Sequence, residues 1–591
     1  MAKWRAASAS GGRRRMCTRA SFKDHAANGH GTLRGIASQV PYLHDLGIDI
    51  VWLSPVYASP QADMGYDISD YQAIDPRYGT LEDWDAVRDA CHARGMKLVM
   101  DLVVNHSSDQ HQWFKESRRS KTDPKRDWYY WHPGKVVDGV RQPPNNWRSR
   151  FGSGSAWAWD EASQEYYLHL FLKEQPDLNW TSPGLRRAVY DMMRWWLDRG
   201  CDGFRCDVIN FIAKAPGFPD APVTDPTKEF QFAGGLAVNR PEVHTYLKEM
   251  YTEVLSHYDA VGECPGKDSP ESFAAYSRPE NHEFQMVFNF HHQYFDRDGA
   301  ERRYKPDWVL SDLKKLYNQW HVELPALGGW FANYIENHDQ PRFVSRVGSE
   351  GDLRNKSAKL VALLHITLTG TLFLYQGQET GQVNMPADWP ESEYKDIEAT
   401  QRLEGERAYL DRLGATPEQR KEHMARVWRD IRSAGRDSPR TPMQWDESAY
   451  AGFSSSEPWM RVHDDYPQWN VAKLRADPDS VWSFYARLLR LRKERLALIY
   501  GKFIPLDADA DDNYSYVRHD EASGEKYLVL LNLGRGEQSV TLDPASWGVD
   551  VSSAQLLVSN DDAKEGEGIS GPVELAPYSG RVYTLAEALP N

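Results

Sequence analysis

GFRCDVIN (203–210) decides how this chain is read. A run this short and this apolar reads as a buried strand, since helices of ordinary length need more residues. It also ends on a carboxylate, Asp207. A carboxylate has no structural use at the end of a buried parallel strand, whereas in a barrel of parallel strands that end is where catalytic groups sit. Arg205, two residues earlier, falls on the same strand face. Two further runs end the same way: Glu263 in AVGEC (260–264) and Asp339 in YIENHDQPR (334–342). Any one of them alone reads equally well as a helix cap or the partner of a nearby Arg. Three in series, with Asn337 and His338 just before Asp339, read as a constellation.

Outward from these runs, strand-like and helical patterns alternate over the first five hundred residues. DIVWLSPV (49–56), KLVMDLVV (97–104), MVFNFHH (286–292), WFANYIEN (330–337) and TLFLYQGQE (371–379) complete seven strand candidates. Amphipathic stretches such as LEDWDAVRDACHARG (81–95) and LRRAVYDMMRWWLDRG (185–200) lie between them, the second ending in Gly200 as a helix should. Alternation of this kind predicts βαβ units, a parallel sheet and an α/β fold, closed into an eight-stranded barrel. The first strand is atypical or missing where one belongs: the segment before ASFKD reads SASGGRRRMCTR, with MCTRASF as the one candidate for a degenerate substitute. Residues 1–20 are therefore expected to be an atypical, disordered N-terminus.

Residues 105–182, rich in Trp, Tyr, Pro and charge, are too long for a simple loop, because structureless connections rarely exceed about 15 residues. They predict an inserted domain between barrel parts 21–104 and 183–502. A second insertion spans 380–475. From 503 to 591, NYSYVRH, KYLVLLNL, QSVTL, AQLLVSN and RVYTL predict an all-β terminal domain, a sandwich.

The formal net charge of −15 argues against nucleic acid as the partner, since phosphate binding needs clustered Lys and Arg. The 22 Trp and 30 Tyr supply ring faces that suit sugars, or simply a large aromatic core. Cys17, Cys91, Cys201, Cys206 and Cys264 show no metal-ligand spacing and favour a reducing, cytoplasmic location. No apolar run approaches the length of a membrane span. A monomer acting on a small molecule is expected.

DLVVNH (101–106), GFRCDVIN, GEC (262–264) and ENHD (336–339), in this order, resemble the ordered motifs of the alpha-amylase superfamily, glycoside hydrolase family 13. QPDLNW (175–180) and RTPMQWD (440–446) resemble markers of its oligo-1,6-glucosidase and alpha-glucosidase branch. The resemblance implies a (β/α)8 TIM barrel, a B domain inserted after the third strand and a C-terminal sandwich. It implies a retaining, exo-acting alpha-glucosidase with Asp207 as nucleophile, Glu263 as general acid/base and Asp339 as transition-state stabiliser. Such chemistry needs an ionised and a protonated carboxyl roughly 5–5.5 Å apart, and Arg205 is expected to hold Asp207 ionised. It also places His106 and His338 on sugar hydroxyls and makes Asp63, Tyr66 and Arg436 (with Arg440 as rival) the reader of the terminal glucose, with Phe171 on the wall. Val208 resembles the residue of isomaltase-like members, where maltose-preferring ones carry Thr or Ala. It predicts a preference for alpha-1,6 bonds.

Two features depart from the family. Relatives open with a Tyr-Gln-Ile-Tyr-Pro-like strand, and its loss here would fit an altered gene start. They also carry alternating Asp and Asn that chelate calcium, where this chain has DHAANGHGT (24–32). Asp24, Asn28 and Thr32 are too few oxygens for a hard cation, so no metal and no cofactor is expected. The competing functions are a maltase or sucrose-splitting alpha-glucosidase and a sucrose isomerase, the latter disfavoured by PRFVSRVGSE (341–350). A catalytically dead transporter partner is disfavoured by the intact triad, and a defective product would betray itself by a non-cooperative melt.

Overall fold

A computed structural model describes residues 15–18, 21–152, 154–258, 263–266, 269–298, 303–542 and 550–585. For Arg15, Cys17, Thr18, residues 263–266 and Asp298 it gives the backbone alone.

Eight parallel strands form the centre: β1 (Arg15–Thr18), β2 (Ile50–Leu53), β3 (Lys97–Val103), β4 (Phe204–Asp207), β5 (Glu263–Gly266), β6 (Met286–Asn289), β7 (Ala332–Asn333) and β8 (Thr371–Tyr375). Ladders join β4–β3–β2–β1–β8–β7 into one sheet and β5 to β6. A parallel bridge from Val287 to Phe331 links β6 to β7, and β4 lies beside β5, which closes the ring. Each strand is followed by a helix: α1 (Leu33–Leu46), α2 (Leu81–His92), α3 (Pro183–Asp198), α4 (Pro241–Glu253), α5 (Pro270–Ser277), α6 (Leu310–Ala326), α7 (Arg354–Thr367) and α8 (Val481–Glu494).

The first strand, expected to be atypical or missing, is present in atypical form, and the expectation that residues 1–20 are disordered is corrected at 15–18. Arg15–Thr18 pairs in parallel with Ile50–Leu53 on one side and with Phe373–Tyr375 on the other. Main-chain hydrogen bonds to two neighbours need little from side chains, and Met16 is fully buried in the core. Residues 1–14 and 19–20 lie outside the described residues.

Helix ends follow local chemistry. Thr32 caps α1 by accepting from Gly35 N, and Gly47 closes it in the left-handed region (φ 103). Thr80 and Asp83 form a reciprocal capping box on α2. On α3, Leu185, Val189, Met192, Met193 and Trp196 make one buried stripe against the barrel.

The barrel interior is aromatic: Trp52, Phe288, Trp330, Tyr334, Phe373 and Tyr375 form one cluster. On β4, Phe204 and Cys206 face the helices, whereas Arg205 stands over the Trp52 ring at 5.0 Å, inside the barrel.

Between β3 and α3 the chain leaves the barrel and builds a three-stranded antiparallel sheet from 131–132, 165–168 and 157–160. Beyond α8, strands 502–506, 514–519, 526–531, 580–585 and 555–559 form an antiparallel sheet, with the pair 538–540 and 573–575 beside it. Period-two alternation buries both faces of the larger sheet. Val517, Leu528 and Leu530 pack with Val540 and Leu575, while Tyr516, Tyr527 and Val529 join the main core. Among the described residues no helix is long and apolar enough to cross a membrane.

Candidate active site

The C-terminal ends of the strands gather the charged residues singled out by sequence. Arg205 and Asp101 are register partners on β4 and β3. Arg205 Nη1 donates to Asp101 Oδ1 at 3.1 Å and to Asp207 Oδ1 at 2.7 Å. One buried guanidinium thus carries two carboxylates. Burial pushes the Asp207 carboxyl up to about 7; Arg205 opposes the rise, and the negative charge of Asp101 adds to it. Arg205, expected to hold Asp207 ionised, does favour its ionised form, while desolvation acts against it and is the larger effect.

Asp339 stands not on a strand but in the turn six residues beyond the end of β7. Arg440 Nη2 donates to its Oδ1 at 2.8 Å, and Arg436 Nη1 lies 3.5 Å from the same oxygen. Both arginines also grip Asp396, at 2.5 Å from Arg440 and 2.9 Å from Arg436. Burial would raise Asp396, yet the two arginines hold it below the usual carboxylate range. Arg436 further reaches Asp63 at 3.5 Å. Burial, only partly offset by Arg436, pushes Asp63 up to about 7.

Tyr66 joins the two halves: its hydroxyl donates to Asp101 Oδ2 at 3.2 Å and lies 2.9 Å from His338 Nε2. His338 Nε2 is in turn 3.4 Å from Asp339 Oδ2. His106, pushed down to about 3 by burial and so neutral, meets the Tyr66 carbonyl at 3.1 Å. Phe171 stands against it with ring centroids 5.2 Å apart. Glu263 begins β5, next to β4, but its side chain lies outside the described residues.

Val208, directly after Asp207, has φ 36 and ψ 35. A β-branched residue in the left-handed region is strained. It packs with Phe171 and Phe211 against the aromatic cluster of the insertion.

Sequence reading missed four residues here. Asp101 opens the DLVVNH motif but reads as one more strand residue. Asp396 carries only the signal of a helix cap, and it does accept from Glu398 N at 3.0 Å at the start of helix Ile397–Arg412. Gln175 and Asp177 sit in QPDLNW, recognised as a marker but not as parts of the site. Gln175 Nε2 reaches Asp63 Oδ2 at 3.2 Å and His106 Nε2 at 3.1 Å. Asp177 forms a buried pair with Lys214 at 2.6 Å. The motif thereby ties the insertion to the barrel mouth.

The loop 24–32 does not fit a calcium ion. Asp24 accepts from Ala26 N at 2.8 Å, Gly29 N at 2.9 Å and Ser454 Oγ at 2.7 Å. Asn28 Oδ1 accepts from His30 N at 2.9 Å, and Thr32 Oγ1 serves His25 N and Gly35 N. Each candidate oxygen already has a protein donor, and Lys23, beside Asp24, adds a positive charge.

The family model described as alpha amylase, catalytic domain, matches residues 18–501. An alpha-glucosidase of Schizosaccharomyces pombe is 45% identical over 574 residues, 96% of each chain. An oligo-1,6-glucosidase of Halalkalibacterium halodurans is 44% identical over 95% of this chain and 96% of its own. The crystal structure of a Bacillus licheniformis trehalose-6-phosphate hydrolase superposes with a TM-score of 0.88 at 37% identity, covering 98% of this chain and 99% of that one.

Proposed function

Because this chain belongs to the alpha-amylase family and is a glycoside hydrolase, we propose that it is a retaining, exo-acting alpha-glucosidase. It releases glucose from the non-reducing end of short alpha-glucosides and prefers alpha-1,6 linkages, as in isomaltose. The observation that carries this reading is a continuous chain of polar contacts running from Asp207 through Arg205, Asp101, Tyr66 and His338 to Asp339, which Arg440 and Arg436 both hold, and on through Arg436 to Asp63. In this reading Arg436 and Asp63, at the far end of the chain of contacts, hold the terminal glucose of a chain end.

In the first step a carboxylate oxygen of Asp207 attacks the anomeric carbon while Glu263 protonates the departing glycosidic oxygen. A covalent glucosyl–Asp207 ester results. Glu263, now ionised, takes a proton from water; the water oxygen attacks the same carbon, the ester bond breaks, and glucose leaves with its configuration retained. Asp339 faces the positive charge that develops on the ring in both steps. Arg440 and His338 hold it in place, and Arg436 and Asp63 bind the hydroxyls of the terminal glucose. Val208 shapes the acceptor side: its strained backbone sets the isopropyl group against Phe171 and Phe211, which favours a flexible 1,6 bond.

In this reading the protein works as a monomer in the cytoplasm and without a bound cation, since the oxygens of loop 24–32 are occupied. Residues 105–182 act as the B domain and form one wall of the pocket.

Initial rates on isomaltose, maltose, sucrose and a longer isomalto-oligosaccharide test the proposal, with Asp207→Asn as control and proton NMR following the anomer released first. Isomaltose should be turned over faster than maltose, and α-glucose should appear first. Maltose turned over far faster than isomaltose would replace the linkage assignment with a maltase, and full activity in the control would remove the mechanism.

A further inference from the structure

Next to the active site lies a second cavity, of about 440 Å³, that the glucosidase mechanism does not use. Its cationic lining is Arg77 and Lys395, beside a His30 that burial and Arg77 hold toward its neutral form, and among the described residues no carboxylate lines it, in a chain whose net charge is −15. Arg77 turns two nitrogens to Asp75 at 2.9 and 2.8 Å, so its charge is partly met from behind the wall. Lys395 Nζ donates to a neutral oxygen, the Ser392 carbonyl, at 2.5 Å. The N-terminus of α1 also opens on the cavity through Thr32 and Leu33, and its partial positive charge has the same sign. Leu33, Ile36, Val56 and Trp459 give it an apolar and aromatic lining, broken by polar Ser54 and Gln61, and His30 stacks on Trp459 with ring centroids 6.0 Å apart.

Met64 belongs to both places. It lines the cavity, and its sulfur accepts from Arg440 Nη1 at 2.7 Å. The segment that carries it is strained: Gln61 (φ 70) and Met64 (φ 47) are non-glycine residues in the left-handed region, followed by Gly65 (φ 101). The same segment holds Asp63 and leads to Tyr66, both in the glucose pocket. The cavity wall and the glucose pocket therefore share one strained segment of backbone.

We propose that this cavity binds a sugar-sized organic anion, its phosphate or carboxylate against Lys395 and Arg77 and its ring between Ile36 and Trp459, and that Met64 transmits its occupancy to Arg440. The binding half stands on the cavity alone; the transmission half rests on the glucosidase reading.

Isothermal titration of the full-length protein with glucose 6-phosphate tests it, with saturating glucose present to fill the catalytic pocket, and with glucose and inorganic phosphate titrated in parallel. One equivalent of glucose 6-phosphate should bind in the presence of glucose, and Lys395→Glu should weaken it at least about tenfold. Arg77→Ala is a poorer test because it strips buried Asp75 of its partner. Glucose 6-phosphate should also change the isomaltose rate of the wild type but not of Lys395→Glu. Displacement by glucose, equal affinity in the variant, or phosphate binding as tightly as glucose 6-phosphate would overturn the site. Binding without any change of rate would overturn the transmission through Met64. A protein inert on isomaltose would sink the glucosidase reading and leave the titration to judge the cavity.

Discussion

Arg205 faces Asp101 directly across the β3–β4 ladder, Nη1 3.1 Å from Oδ1, and the same nitrogen holds Asp207 at 2.7 Å. The negative charge of fully buried Asp101 therefore bears on Asp207 through the guanidinium they share.

The proposed mechanism needs Asp207 ionised, and burial, opposed by Arg205 and aided by Asp101, pushes it up to about 7. We expect kcat/KM to rise with pH through a limb near 7. Asp101→Asn removes a negative neighbour that pushes Asp207 upward, so the limb should move to lower pH. A pH–rate profile unchanged in this variant would contradict the coupling.

The same titration bears on stability. The folded value of Asp207 lies above its ordinary 3.8, so its contribution is fully present below about pH 4 and is lost as pH rises through 7. Asp207→Asn abolishes that loss. Its melting temperature relative to wild type should climb between about pH 4 and pH 8, as scanning calorimetry would reveal.

Arg440 and Arg436 should part company on substitution. Arg440 is 2% exposed at its side chain and serves Asp339, Asp396 and the His338 carbonyl. Arg440→Gln leaves Asp339 without its nearest cation and buried Asp396 with one arginine instead of two. We expect a loss of about 3–5 kcal/mol in denaturant unfolding together with a fall in kcat. Arg436→Gln keeps Arg440 on Asp396, so it should cost clearly less stability and act mainly by raising KM.

Val208→Thr should shift the isomaltose-to-maltose ratio of kcat/KM toward maltose. A single side chain in an apolar pocket is worth about 1–3 kcal/mol, or roughly 10–200-fold. A ratio that does not move would detach linkage preference from this position.

Chelator or added calcium should leave the melting temperature where it is. A cation held with a Kd one hundredth of its concentration would add about 2.7 kcal/mol, which a thermal melt would register. Asp24→Ala, by contrast, should destabilise the loop through lost hydrogen bonds to Ala26 N, Gly29 N and Ser454.

Much of the site was legible because its residues fall at the ends of short apolar runs: Arg205 and Asp207 share a face by simple alternation. Asp396 was not legible. It lies 189 positions after Asp207 in a polar insertion, and nothing local distinguishes a helix cap from a residue that pins two active-site arginines. Gln175 was hidden for the same reason, its partners Asp63 and His106 being far away in the chain.

Local pattern by itself determined the alternation of strands and helices, the polar residues at strand ends and the change to an all-β texture after 503. These follow from periodicity and turn chemistry within a few residues. Only the tertiary structure decided that RMCT (15–18) is a strand, that Arg205 divides itself between Asp101 and Asp207, and that Asp207 is raised rather than lowered. A strand of four residues carries too short a period to be read and is held by the ladders on either side. A buried carboxyl likewise takes its charge state from how much water its neighbours exclude and how many share its cation.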